Sequence, residues 1–112
     1  MTSQFQHKEL AAGRWLKFSL IEQLANIGSE VGRTKRWQDK DKTLFQGAFE
    51  RALELFDLTL SDPRWFGRKQ EIARARELFC AAALKSEEFK TSLNDLDKYF
   101  LEFAVAAQRI KL

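Results

Sequence analysis

Apolar residues recur at steps of three and four along most of this chain, which is the spacing of one helix face. The pattern is most complete from Phe45 to Leu60, where apolar side chains share one face and three carboxylates share the other. The apolar positions of this stretch are Phe45, Ala48, Phe49, Ala52, Leu53, Phe56 and Leu60. A helix of this kind needs partners to cover its phenylalanines. We therefore expect the rest of the chain to be arranged around it.

Three further segments have the same period, and each predicts a helix. The first extends over residues 14–40, the next lies after the phenylalanine-rich helix over residues 68–84, and the last covers residues 92–109. Phe89 extends the apolar series of the last helix, so a start at Glu87 is an alternative.

Turn and capping residues separate the predicted helices. Thr43 with Gln46 three residues later has the pattern of a capping box, and so does Ser92 with Asp95. Pro63 cannot continue a helix, so it ends the second helix near Ser61 and permits one new helical turn capped by the preceding aspartate.

Short connections make consecutive helices antiparallel, so the sequence predicts an all-α, up-down-up-down antiparallel four-helix bundle. At 112 residues we expect a single domain over residues 1–112, with a short N-terminal arm before Gly13. The phenylalanines at 49, 56, 79 and 100 should meet in one interior. Gly28 and Gly32, one turn apart, favour close packing of a neighbouring helix.

Charge is segregated by segment although the total is only +3. Residues 43–62 carry a net charge of −3, and residues 63–85 carry +4. We interpret this as complementary packing of an acidic helix against basic ones. The alternative is an electrostatic footprint for nucleic acid or an acidic partner.

The residues needed for common catalytic and metal sites are scarce. The chain has one histidine, His7, and one cysteine, Cys80, so a zinc site, a di-metal carboxylate site and a Cys/His nucleophile are all poorly matched. The five glycines form no phosphate-binding loop. We expect no catalytic residue, no cofactor, no metal and no small-molecule substrate, and we interpret Cys80 as a small core residue.

Polar residues on the first three helices predict a network between helices. Carboxylates one turn apart on the second helix should meet arginines of its neighbours, although a carboxylate pair forced out of water would instead suggest acid–base chemistry. The network residues are Asn26, Glu30, Glu50, Arg51, Glu54, Asp57, Arg74 and Arg76.

Basic and aromatic residues lie together at two helix ends, which a bundle places far apart. In single-strand binders, bases stack on such residues, whereas Trp and Arg are also common at protein–protein contacts. The candidate contacts for a partner, or for RNA or single-stranded DNA, are Arg33, Lys35, Arg36, Trp37, Lys40, Arg64, Trp65 and Arg68.

Residues 25–61 carry a resemblance to a bacterial family. Ala25-Asn26-Ile27, followed by Gly32-Arg33 and a helix with Glu and Phe/Leu spacing, is similar to the four-helix bundle proteins encoded by ribosomal RNA intervening sequences and to retroelement accessory proteins. Where that family has Ala-Asn-Ile-Ala-Glu-Gly, this chain has Gly28-Ser29-Glu30 in the middle. The resemblance implies a cyclic homo-oligomer, a pentamer, whose basic surface, including Arg33, contacts nucleic acid or a reverse transcriptase. The chain also resembles small bacterial bundle proteins of unassigned activity.

The aromatic content favours an interaction role. Ten Phe and three Trp are many for four short helices, so we expect a non-enzymatic helical interaction module that forms a homo-oligomer. A nucleic-acid-binding accessory protein is the alternative, and an enzyme using the carboxylates is the third class. With one cysteine, a polar segment from Met1 to Leu10 and no membrane-length apolar run, we expect a cytoplasmic protein.

Overall fold

A computed structural model describes residues 13–85 and 91–111, and it is helical throughout apart from the connections. The four α-helices are α1 (Leu20–Trp37), α2 (Lys42–Leu60), α3 (Lys69–Ala83) and α4 (Leu93–Lys111). Two 3₁₀ helices, Trp15–Lys17 and Pro63–Arg68, precede α1 and α3. The described residues contain no strand, so the predicted all-α four-helix fold is confirmed. The predicted N-terminal arm before Gly13 lies outside the described residues.

The helices pack in cyclic order, with α1 against α2 and α4, α2 against α3, and α3 against α4. The contact between α1 and α4 is the most extensive, followed by that between α1 and α2, so α1 and not the phenylalanine-rich α2 contacts its neighbours most. Gly28 faces Phe100 of α4, and Gly32 faces Asp97 one turn away. The predicted role of these two glycines in close helix packing is therefore confirmed.

Aromatic rings from three helices form the centre of the core. Phe79 of α3 lies between two rings of α2, with ring centroids 5.4 Å from Phe49 and 5.8 Å from Phe56. Phe56 in turn meets Phe100 of α4 at 6.0 Å, edge to face. Phe56, Phe79 and Phe100 are almost completely buried, so the predicted shared interior is confirmed.

The predicted start of α1 at Arg14 is wrong, and so is its end at Lys40. Trp15 and Phe18 continue the apolar spacing, but they belong to the 3₁₀ helix and its cap. Ser19 then starts α1 with a complete capping box, in which its hydroxyl accepts from the amide of Glu22 and its own amide donates to the Glu22 carboxylate. At the other end, Gln38 leaves the helical conformation with a ψ of 126°, and Asp39 follows with a φ of 65°, so the helix ends at Trp37.

The predicted cap of α2 is also wrong. Asp41, not Thr43, is the N-cap, because its carboxylate accepts a hydrogen bond of 3.0 Å from the amide of Leu44. An aspartate two residues earlier does what the Thr43 and Gln46 pair was expected to do, so α2 begins at Lys42.

The remaining connections agree with the sequence to within two residues. Asp62 caps the turn that begins at Pro63, as predicted, and that turn continues as a 3₁₀ helix to Arg68. Ser92 and Asp95 exchange the two hydrogen bonds of a capping box, so α4 begins at Leu93. The alternative start at Glu87 lies outside the described residues.

Candidate interaction surface

The first predicted basic group, at the C-terminal end of α1, is largely engaged within the fold. Arg33 pairs with Glu30 at 3.0 Å, and Lys35 reaches across to Asp97 of α4 at 3.1 Å. Arg36 lies over the ring of Trp37, 5.5 Å from its centroid. Arg36 and the more distant Lys40 are exposed. Arg33 and Lys35 are also exposed, but they are engaged in these ion pairs, and Trp37 is half-buried beneath Arg36.

The second group, before α3, is tied into the opposite end of the bundle. The Arg64 guanidinium binds both carboxylate oxygens of Asp62 and the carbonyl of Phe18, and it stacks over Trp65. The indole of Trp65 donates a hydrogen bond of 2.9 Å to Gln23 Oε1. Arg68 pairs with Glu71 in the next turn. These contacts hold the turn between α2 and α3 against the start of α1, so the two basic groups lie at different ends.

The predicted polar network is only partly a network between helices. Glu30 joins α1 to α2 through Arg51 at 3.3 Å, and Asp57 joins α2 to α3 through Arg76 at 2.9 Å. Asn26 donates to a backbone carbonyl of α1, Glu50 accepts from Gln46 of α2, and Arg74 pairs with Glu77 of α3. Glu54 is buried. Thus the cross-helix pairs hold the register of α1, α2 and α3, while the carboxylates of α1 and α2 bond to different partners.

A buried polar cluster that sequence reasoning missed lies beneath the second basic group. Gln23 is fully buried, and its amide donates to the Trp15 carbonyl at 2.9 Å and to Asp62 Oδ2 at 3.2 Å. The Trp15 indole donates to the hydroxyl of Thr59, which is also fully buried. Gln23 is 39 residues from Asp62, and Trp15 is 44 residues from Thr59, so no local pattern indicates these two contacts.

Arginine dominates the electrostatics of this cluster. Hydrogen bonds from Arg64 hold the pKa of Asp62 below its usual value, although burial opposes them. Cys80 of α3 lies outside this cluster. Burial is the largest influence on its half-buried thiol, and it raises the pKa of the thiol. The raised pKa keeps Cys80 mainly as a thiol at neutral pH, but the residue is half-buried and is not one of the buried core residues, so the predicted core position is wrong.

The outer face of α4 exposes large apolar side chains that sequence reasoning also missed. Leu101 is 61% exposed and Val105 is 41% exposed, and they are one helical turn apart. With Lys98 before them and Gln108 after them, both exposed, they form a continuous row, which we call the α4 stripe. The available signal was the run from 99 to 107, in which apolar residues occur on every side of the helix.

A second apolar feature lies on the other side of α4. Tyr99 is two residues before Leu101, which corresponds to a rotation of about 200° about the helix axis, so it lies on nearly the opposite side of α4. Its side chain is 41% exposed. It lines a groove of about 330 Å³ between α3 and α4, whose other apolar walls are Ala75, Leu78 and Leu96. Thus α4 has unpartnered apolar surface on both flanks, in addition to the face that it buries against α1.

The described residues contain no cluster of side chains that could bind a metal ion. Within residues 13–85 and 91–111, no three His, Cys, Asp or Glu side chains lie close enough together to hold a metal ion. No helix in the same ranges is long and apolar enough to cross a bilayer. Comparison with protein-family models, curated proteins and solved structures found no match to this chain.

Proposed function

We propose that this protein is a helical interaction module that associates with itself through the α4 stripe. The observation that carries the proposal is the exposure of Leu101 and Val105 side by side on a helix whose opposite face is already buried. Single exposed apolar residues are ordinary, but two large ones in a row on one helix face favour a partner. Their burial against a second helix would remove this surface from water.

The charges of the fold support a binding role over a catalytic one. Glu30 and Asp57, two of the carboxylates considered for acid–base chemistry, are each paired with an arginine. Carboxylates that pair with arginines hold helices in register, whereas acid–base chemistry requires two carboxylates that approach each other. The α4 stripe has no such cluster, so its chemistry is that of packing.

Analytical ultracentrifugation over a wide range of protein concentration tests the proposal. The double variant Leu101→Glu, Val105→Glu should remain monomeric where the natural sequence associates, because two charges would be desolvated at the contact. Leu44→Glu is the matched control, since Leu44 is 45% exposed in the first turn of α2 and should not affect association. A natural protein that is monomeric at millimolar concentration would contradict the proposal.

Nucleic-acid binding is the second candidate function, and the exposed Arg36 over Trp37 favours it. An aromatic ring with a stacked guanidinium, followed three residues later by the exposed Lys40, matches the stacking and phosphate contacts of single-strand binders. Fluorescence anisotropy with labelled oligo(U) or oligo(dT) should show binding that weakens steeply with salt and is lost in Arg36→Glu. The same charge change at Lys17, an exposed residue of the 3₁₀ helix before α1, should leave the binding of the oligonucleotide unchanged. No binding at low salt would exclude this candidate.

A further inference from the structure

We infer that the partner of the α4 stripe is a second copy of this chain, with the two α4 helices packed antiparallel across a two-fold axis. The inference rests on the proposed self-association and specifies its geometry. A two-fold axis repeats every contact, so a row of only two large apolar residues gives two complementary pairs. Leu101 of one copy would lie level with Val105 of the second copy, and Val105 with Leu101.

The ends of the α4 stripe favour the antiparallel arrangement. In this register Lys98 of each copy lies level with Gln108 of the second copy, which can accept a hydrogen bond from it. Parallel helices would instead place Lys98 against Lys98 at the same level, and like charges in contact oppose association. Both residues are exposed in the monomer and are available for this contact.

The charges along one flank of the stripe are complementary in the same register. Asp95, Glu102 and Arg109 are exposed and follow each other at intervals of seven, so they lie in one row beside the stripe. The antiparallel register brings Arg109 within about 3 Å, along the helix axis, of the level of Asp95 in the second copy. The two-fold axis repeats the contact between Arg109 and Asp95, so the dimer contains this pair twice. Glu102 approaches its own counterpart near the axis, which is the one unfavourable contact of the arrangement.

Disulfide cross-linking in the full chain tests the direction of the helices, in a Cys80→Ala background that removes the native thiol. A mixture of Leu101→Cys and Val105→Cys proteins, one of them carrying a mass tag, should form a mixed disulfide under a glutathione redox buffer. The Lys98→Cys protein alone should not form a disulfide between its two copies. In the antiparallel register, position 98 of one copy is about ten residues, or 15 Å along the helix axis, from position 98 of the second copy. A disulfide allows about 7 Å between Cα atoms.

The outcomes separate this inference from the proposed function. Efficient self-cross-linking of Lys98→Cys would show parallel helices and overturn the geometry, while self-association would stand. A dimer that sediments normally but gives no mixed disulfide would overturn the α4 contact. A monomer at every concentration would overturn both.

Charge variants test the register independently of cysteine chemistry. Arg109→Glu should raise the dimer dissociation constant about threefold or more at low salt, because it converts two attractive pairs into repulsive ones. Glu102→Gln should lower the constant, because it removes the like-charge contact near the axis. Lys42→Glu, the same charge change as in Arg109→Glu but at the start of α2, is the control. If Arg109→Glu and Glu102→Gln both leave the constant unchanged, the register is wrong.

Discussion

A Cβ atom on Gly28 would lie 2.7 Å from the Cβ of Phe100, which is closer than two carbon atoms can pack. The absence of a side chain at Gly28 therefore sets the distance between α1 and α4. We expect Gly28→Ala to reduce the free energy of unfolding by about 1–3 kcal/mol, because the strain of overpacking exceeds the gain in helix propensity. Urea denaturation measures this change.

Gly47→Ala is the matched control for that experiment. Gly47 also lies inside a helix, but the nearest atom to a Cβ there is the Arg51 Nη1 at 3.3 Å, at the end of a flexible side chain. Its replacement by alanine should stabilise the protein by up to about 1 kcal/mol. If the two substitutions changed stability in the same direction, the close approach at Gly28 would not be limiting.

Gln23 should be the most sensitive polar residue of the core. Gln23→Leu keeps a similar volume but leaves the Trp65 indole and the Asp62 carboxylate without their shared partner. We expect a loss of about 2–4 kcal/mol in the free energy of unfolding, because buried polar groups without partners are costly. Asn26→Ala, at an exposed position on the same helix, should change stability by less than about 0.5 kcal/mol. Equal effects at the two positions would contradict the network.

Acid should weaken the protein partly through Asp62. Its pKa is lower in the folded than in the unfolded chain, so the unfolded chain binds the extra proton as pH falls. The stabilisation is complete above the unfolded pKa of about 3.9 and is lost as the pH falls through the folded pKa. The stability difference between the natural protein and Asp62→Asn should therefore shrink from pH 6 to pH 2. A difference that stays constant over this range would show that Asp62 titrates as an ordinary carboxyl.

Lys85 follows α3 in a backbone conformation that glycine adopts more easily. Its φ is 55°, whereas Leu84 beside it has a φ of −91°. Lys85→Gly should stabilise the protein by about 0.5–1 kcal/mol, because the surface ion pair with Asp39 that it removes contributes little. Leu84→Gly should destabilise it, since glycine relieves no strain there. Thermal unfolding of both variants tests this, and a loss of stability in Lys85→Gly would show that the ion pair matters more than the backbone.

The sequence was sufficient for the helices and the core but not for their ends. The spacing of Phe49, Phe56, Phe79 and Phe100 is local information, and the structure brings these rings together. The start of α1 was misplaced because Trp15 and Phe18 fit the helical period, although Ser19 and Glu22 carry a capping signal. Apolar spacing and capping compete at such a boundary, and there capping determined the outcome.

The candidate interaction surface was harder to predict than the core. Residues 99–107 are apolar on several sides, so the period alone does not say which side is buried. Gly28 determines which side of α4 is buried, because it allows Phe100 to pack against α1. Leu101 and Val105 then face outward. The polar cluster around Gln23 was missed for a related reason, since Asp62 and Trp65 are distant from Gln23 in the chain and only the packed helices bring them together.

The side chain of Gln38, just after α1, donates hydrogen bonds of 3.3 and 3.1 Å to the carbonyls of Ala82 and Ala83. The last turn of α3 is thus completed by a residue 44 positions earlier, and neither end can fray without releasing the other. Amide hydrogen exchange near the end of α3 should therefore report opening of the α1–α2 hairpin as well, which makes these distant segments one cooperative unit.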